Sequence, residues 1–314
     1  MAASSCFCDR KPGWVTRFAP SPTGYLHLGH VASALAGWRA ARESGGRFLL
    51  RIEDIDPGRC RPEYEAAIIE DLAWLGIGSD GDVRRQSDHL ADYGRVLDEL
   101  ASRGLLYPCF CTRAEIQREA LQAAHAPHAA PDGSLAYGGA CRGLPAVERA
   151  ARIADGVPHV LRLDMEAAVR QAGADVMCWH ERGAGGRRER VGAPVRPFGD
   201  IVLARKDRPV SYHLCVTHDD ALQGISLVTR GEDLRPATAL HRLLQELMGW
   251  PAPDYAHHPL KLDAQGRRLA KRDRALTLRA MRAAGHDAEA VRRAALGQDA
   301  PSIGGGPAAA GTAA

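Results

Sequence analysis

The sequence predicts an α/β protein organised on a parallel sheet, and three observations predict it. An apolar, strand-like run from Trp14 to Ala19 ends in a Pro-Ser-Pro-Thr-Gly turn, after which His27-Leu28-Gly29-His30 opens a helical pattern carried by Leu28, Val31, Leu35 and Trp38. A second strand follows at Arg47–Glu53, with Phe48, Leu50 and Ile52 on one face. Strand, helix and strand within so short a stretch form a right-handed βαβ crossover, which requires parallel pairing and places ligand sites at the strand C-terminal ends. Third, an apolar strand at Gly224–Val228 runs out into Thr229-Arg230-Gly231-Glu232-Asp233 and is followed by a helical pattern at Ala237–Leu247, closed by Gly249.

The remaining elements follow the same punctuation. The first helix stops at Gly45-Gly46, a C-terminal cap. Pro62–Leu75 is helical by pattern (Tyr64, Ile68, Leu72, Leu75) and ends at Gly76. Ser87 is placed to cap a helix reaching Arg103, with Leu90, Tyr93, Leu97 and Leu100 as its buried stripe. From Thr112 to Gly199 the alternation of strand and helix breaks, and this stretch, with a basic loop at Glu181–Val191, reads as an insertion. Asp200–Leu203 and Tyr212–Thr217 read as returning strands. The expected organisation is a tail (1–13), a catalytic domain in two halves (14–108 and 200–249), a metal-containing insertion (109–199), a loop with a short helical segment (250–297) and a disordered tail (298–314).

Bulk properties are those of a soluble globular chain: 314 residues, 45% apolar, 25% charged, formal charge +3. That charge is too small to announce a nucleic-acid protein by itself, so local basic patches matter more. The first thirteen residues lack the apolar segment of a secretory signal, and no run reaches membrane-spanning length. Eight cysteines without such a signal argue for thiols or a metal site rather than disulfides, and for a cytoplasmic protein.

Three constellations carry chemistry. At the first helix start, Gly24 and Gly29 permit close backbone approach beside His27 and His30, where helix N–H groups and the dipole favour phosphate. Arg17 and Arg230, at strand ends, offer planar forks for a carboxylate or a phosphate, and Glu53 offers a negative partner for an ammonium; each alone reads more readily as a surface ion-pair partner, and only the shared sheet edge joins them. Second, Cys109-x-Cys111 and Cys141 supply three thiols for a structural zinc. Coordination chemistry alone favours His128 or His125 as a fourth ligand over Tyr137, and a metal-free thiol cluster is the plain alternative, since CxC is a weaker signal than CxxC. Third, five of the eight residues Arg267–Arg274 are basic, which suits either a solvated nucleic-acid loop or neutralisation of a leaving pyrophosphate.

In combination and order, RFAPSPTGYLHLGH (Arg17–His30), RIEDID (Arg51–Asp56), LVTRGEDL (Leu227–Leu234) and RLAKR (Arg268–Arg272) resemble the class I aminoacyl-tRNA synthetases, in the glutamate-specific branch and most closely its short paralogues, the glutamyl-Q tRNA(Asp) synthetases. The resemblance runs from about Val15 to Leu278 and is patchy in the insertion. It implies a Rossmann-type nucleotide-binding catalytic domain. It also implies glutamate binding by Arg17, Ser21, Glu53, Tyr212 and Arg230, ATP binding by His27, Gly29, His30 and Lys271, and catalysis by His27, His30 and Lys271. Cys109, Cys111, Tyr137 and Cys141 match the zinc ligands of the paralogues, so on this ground the fourth ligand is the tyrosine. The implied reaction activates L-glutamate with ATP and Mg²⁺ and transfers it to queuosine in the anticodon of tRNA(Asp), by a monomer that needs no membrane.

The RLAKR loop departs from the family's KMSKS pattern, with Arg268 for the first lysine and Ala270 for the serine. About forty residues follow it, which leaves no room for the anticodon-binding domain of full-length glutamyl-tRNA synthetases; that absence points to the paralogue. The rivals are a minimal synthetase charging the 3′ end of tRNA(Glu) and a non-catalytic module that binds glutamate or tRNA.

Overall fold

The structure, a computed structural model, describes residues 13–122, 129–183, 187–205, 209–260 and 277–297. The expectations for Lys271 and its basic loop, for His125 and His128, and for the 298–314 tail fall outside the described residues.

The predicted βαβ unit is present. β1 (Val15–Phe18) and β2 (Arg47–Ile52) pair in parallel, with Thr16 opposite Phe48, and α1 (Leu28–Ser44) crosses between them. α1 ends where Gly45 adopts φ 70°, a left-handed conformation that glycine takes without steric cost. α2 (Pro62–Trp74) starts with proline at its first position and leads to the short β3 (Arg84–Arg85), parallel to β2. On the other side, β9 (Leu227–Gly231) pairs in parallel with β10 (Asp254–His258), and β10 with β6 (Val176–Arg182). The two sets meet at β1 and β9, where the Ser226 amide donates to the Val15 carbonyl at 2.9 Å.

Helices cover both faces, as a parallel sheet demands. On one face α1, α2, α9 (Leu278–Ala283) and α10 (Ala288–Leu296) enclose Val31, Phe48, Ile52, Ile68 and Met281. On the other, α3 (Leu90–Ser102), α6 (Met165–Ala172), α7 (Tyr212–Leu222) and α8 (Thr238–Met248) enclose Tyr93, Leu100, Val169, Leu214 and Leu243. A second, antiparallel sheet of β4 (Leu106–Cys109), β5 (Val160–Leu163) and β8 (Val202–Ala204) stands beside this body with α4 (Arg113–Gln122) and α5 (Ala146–Ala154). Among the described residues, no helix is long and apolar enough to cross a membrane.

Four local expectations are corrected. Tyr212–Thr217 is the start of a helix, not a strand: Ser211 caps it, accepting from the Leu214 amide. The basic Glu181–Val191 stretch is mostly strand, because β6 pairs antiparallel with β7 (Arg188–Pro194). Ser87 does not cap α3; its amide and hydroxyl donate to Asp54 at 2.8 and 2.6 Å. Leu90, placed in the buried stripe of that helix, is exposed.

Candidate active site

The C-terminal ends of β1, β2 and β9 converge with the first turns of α1 and α7. A cleft of about 690 Å³ opens beside the segments that follow β1 and β2 and the first turn of α7, walled by Ser21, Glu53, Ile55, Gln86, Tyr212 and His213 among others. Ser21, Glu53 and Tyr212 are thus brought together as expected. Arg17 and Arg230 lie behind this wall: the charges acting on the buried Tyr212 phenol include those of Glu53, Arg230 and Arg17.

The floor is a network of buried charge. Arg17 is clamped by Asp220, Nε to Oδ1 at 2.9 Å and Nη2 to Oδ2 at 3.2 Å. Arg51, fully buried, donates from Nη2 to the same Asp220 Oδ1 at 2.8 Å. Burial opposes charge on Asp220, but the attraction of Arg17 and Arg51 outweighs it and holds the carboxyl below its ordinary range. Asp219, next in sequence, accepts from Arg84, Gln86 and the Tyr93 hydroxyl. Arg51, Asp219 and Asp220 went unassigned by sequence reasoning. The Asp219-Asp220 doublet is visible in the sequence as Val216-Thr217-His218-Asp219-Asp220, but nothing local assigns it a partner.

Glu53 belongs to this floor yet is incompletely satisfied. Its Oε1 is buried, has no hydrogen-bond donor among the described residues, and lies 3.6 Å from Arg51 Nη2. Burial pushes its carboxyl up to about 7, with Arg51 and Arg17 opposing. A carboxylate with an unpaired oxygen, on a residue that lines a cleft, suits an ammonium group.

The His27 and His30 pair is set by helix capping. His27 is the N-cap of α1; its Nδ1 accepts from the Gly29 amide at 3.1 Å, and His30 Nδ1 accepts from the His27 amide at 3.2 Å. Because both Nδ1 atoms accept, each ring carries its proton on Nε2 and is a neutral donor. The rings are 3.8 Å apart, and a Cβ on Gly29 would sit 3.0 Å from the His27 ring. Thr277, the first described residue after the basic loop, bridges to His27, and the Leu278 amide donates to the Leu26 carbonyl at 2.9 Å.

At the tip of the small sheet, the sulfurs of Cys109, Cys111 and Cys141 lie within 4.8 Å of one another. The Tyr137 hydroxyl is 3.3 Å from Cys111 Sγ and accepts from the Cys141 amide at 2.8 Å. Arg162 stacks on that phenol ring, its Cζ 3.9 Å from the centroid. All four predicted ligands are therefore gathered at one point. Three soft thiols converging on a fourth oxygen donor fit a tetrahedral zinc ion better than a packed thiol core.

The family model for "tRNA synthetases class I (E and Q), catalytic domain" matches residues 14–296. The Glutamyl-Q tRNA(Asp) synthetase of Rhodobacter capsulatus is 46% identical over 287 residues, covering 89% of this chain and 98% of that protein. The Glutamate--tRNA ligase of Aquifex aeolicus is 38% identical, with 88% of this chain aligned to 55% of that one. The crystal structure of a glutamate tRNA ligase from Elizabethkingia meningosepticum in complex with its amino acid superposes with a TM-score of 0.67 at 32% identity, covering 83% of this chain and 52% of that structure. The chain therefore spans about half of the solved ligase but nearly the whole of the Rhodobacter protein. With the parallel sheet, the capped histidine pair and the charged floor in the places described, the chain belongs to the class I tRNA synthetases of the E and Q group, a family of ligases.

Proposed function

We propose that this chain activates L-glutamate with ATP and transfers the glutamyl group to queuosine in the anticodon of tRNA(Asp). The observation that carries the first step is the pairing of an incompletely satisfied Glu53 carboxylate with buried guanidinium groups across one cleft wall, the charge pattern a small dicarboxylic amino acid needs. Arg17, Ser21, Glu53, Tyr212 and Arg230 hold glutamate, with Glu53 meeting its ammonium. ATP, carrying Mg²⁺, lies against the α1 N-terminus, where Gly29 admits the phosphates and the Nε2–H groups of His27 and His30 donate to them. Lys271 joins them on the pyrophosphate side.

A glutamate carboxylate oxygen attacks the α-phosphorus; the new P–O bond forms as the bond to pyrophosphate breaks. The protein supplies alignment and charge stabilisation and no side-chain nucleophile. A hydroxyl of the queuosine cyclopentenediol then attacks the glutamyl carbonyl, AMP leaves, and an ester remains on the tRNA. The near-complete alignment with a relative named for this reaction supports the choice of acceptor. Cys109, Cys111, Tyr137 and Cys141 would hold a structural zinc, whose binding would supply folding energy to this segment. The enzyme works as a cytoplasmic monomer.

Glutamate-dependent ATP–pyrophosphate exchange without tRNA tests activation, and its absence would leave only a binding module. Incubation with labelled glutamate and tRNA(Asp) with or without queuosine tests transfer: label is expected only on the queuosine form. Label on the 3′ end of tRNA(Glu) instead would overturn the acceptor.

A further inference from the structure

Two arginines reach the same end of the sheet, equally buried at 5% exposure, and differ in what holds them. Arg17 closes onto a carboxylate, Asp220. Arg230 has no carboxylate within ion-pair distance among the described residues. Its nitrogens donate instead to His257 Nε2 at 3.1 Å, His241 Nδ1 at 3.1 Å and Thr238 Oγ1 at 2.7 Å, and its Cζ stands 5.3 Å from the centre of the Tyr255 ring.

A guanidinium only donates, so each imidazole nitrogen facing it is a bare acceptor, and this fixes both tautomers. His241 carries its proton on Nε2, which donates to His213 Nδ1 at 3.1 Å, on a ring that lines the cleft. His257 carries its proton on Nδ1, 2.6 Å from Glu181 Oε1. Protonation of either acceptor nitrogen would set N–H against N–H. Burial and the charge of Arg230 push His241 well below its ordinary range, and burial also lowers His257.

We infer that His241 and His257 are positioning residues that orient Arg230 without neutralising it, reserving its charge for the carboxylate of an anionic amino acid. A carboxylate at either place would orient the guanidinium as well but would cancel the attraction. The uncompensated cation also disfavours the neutral amide, glutamine, because only an anion offsets the cost of its burial. The inference deepens, and rests on, the reading that this cleft takes glutamate.

His241→Asn and His241→Asp test it, since the two side chains share one shape and differ in charge. In ATP–pyrophosphate exchange, His241→Asp is expected to raise the glutamate KM roughly ten- to hundredfold above that of His241→Asn, the range of one charge-assisted hydrogen bond. kcat is expected to change less, and the preference for glutamate over glutamine to shrink in parallel. A merely structural role would move both variants together, and equal KM values would overturn the inference. If His241→Asp does not fold, Thr238→Asp against Thr238→Asn carries the same expectation and the same refutation. A parent protein with no glutamate-dependent exchange would overturn the synthetase reading itself, an outcome distinct from equal KM values in an active parent.

Discussion

The charged floor of the main sheet and the thiol cluster of the small sheet both take polar groups out of water, and they satisfy them differently. On the floor, Asp220 and Asp219 meet Arg17, Arg51 and Arg84, so nearly every charge has an opposite charge supplied by the chain. At the cluster, Cys109, Cys111, Cys141 and Tyr137 meet mainly one another through weak sulfur contacts, such as 3.4 Å between Cys111 and Cys141. The floor is electrostatically closed by its own residues except at Glu53 and Arg230, while the cluster gathers soft donor atoms at a spacing that suits one metal ion. The first arrangement lines the candidate cleft; the second lies in a segment with a small apolar core of its own.

The contrast can be broken most severely at the cluster. Cys141→Ser is expected to remove one equivalent of zinc and collapse the β4–β5–β8 sheet, read by elemental analysis and by amide exchange of Leu106, Tyr107, Cys109 and residues 160–163. Full zinc content in that variant would refute the site, and zinc lost there but kept in Tyr137→Phe would make a histidine the fourth ligand. The next largest effect belongs to the floor. Asp220→Asn leaves Arg17 and Arg51 buried without their shared counter-charge, which costs about 3–5 kcal/mol. Denaturant melts would show it; a loss below about 1 kcal/mol would mean the network is not what holds the edge together.

A smaller and pH-dependent effect sharpens the exception at Glu53. Its folded-state carboxyl is raised to about 7 from an ordinary 4.5, so it binds protons more tightly when folded. Its contribution to stability is therefore present at pH values below about 4.5 and lost as pH rises through about 7. His213, pushed down from 6.5 to about 4 by burial, acts in the opposite sense: its contribution is present above about 6.5 and lost as pH falls through about 4. The stability difference between the parent and Glu53→Gln isolates the carboxylate and should fall across pH 4.5–7; a flat difference would contradict it. In activity the same ionisation appears as a glutamate KM that improves as pH rises through 7. The smallest effect is expected from His27→Ala, which loses an N-cap bond worth about 1 kcal/mol. Exchange activity should fall further than that stability loss accounts for; an equal effect would confine His27 to capping.

The legible parts of the sequence were those where burial and punctuation agree. β1, α1 and β2 declare themselves through Phe48, Leu50, Ile52 and the Gly45 stop, and α8 through its leucines and Gly249. α7 departs from the strand its sequence predicts because Tyr212-His213-Leu214-Cys215-Val216-Thr217 is rich in aromatic and β-branched residues, and tertiary packing overrides that local preference. The β6–β7 hairpin was hidden because β7 exposes most of its side chains, which leaves no apolar alternation to read. The motif residues of the candidate site were visible as local strings. The neutral shell of Arg230 was not, since His241 and His257 come from a helix and a strand whose closeness only the fold creates.

The ion pairs of the floor have a bearing on how the chain acquires its shape. Asp220 lies 203 residues from Arg17 and 169 from Arg51. Contacts of such sequence separation form late, after the loops between them have closed. A nascent chain that has emitted β1 and β2 but not α7 carries both guanidinium groups without the carboxylate they share, so that edge of the sheet has no reason to leave water. The candidate cleft is therefore complete only once α7 has joined β1 and β2, a closure that spans most of the chain.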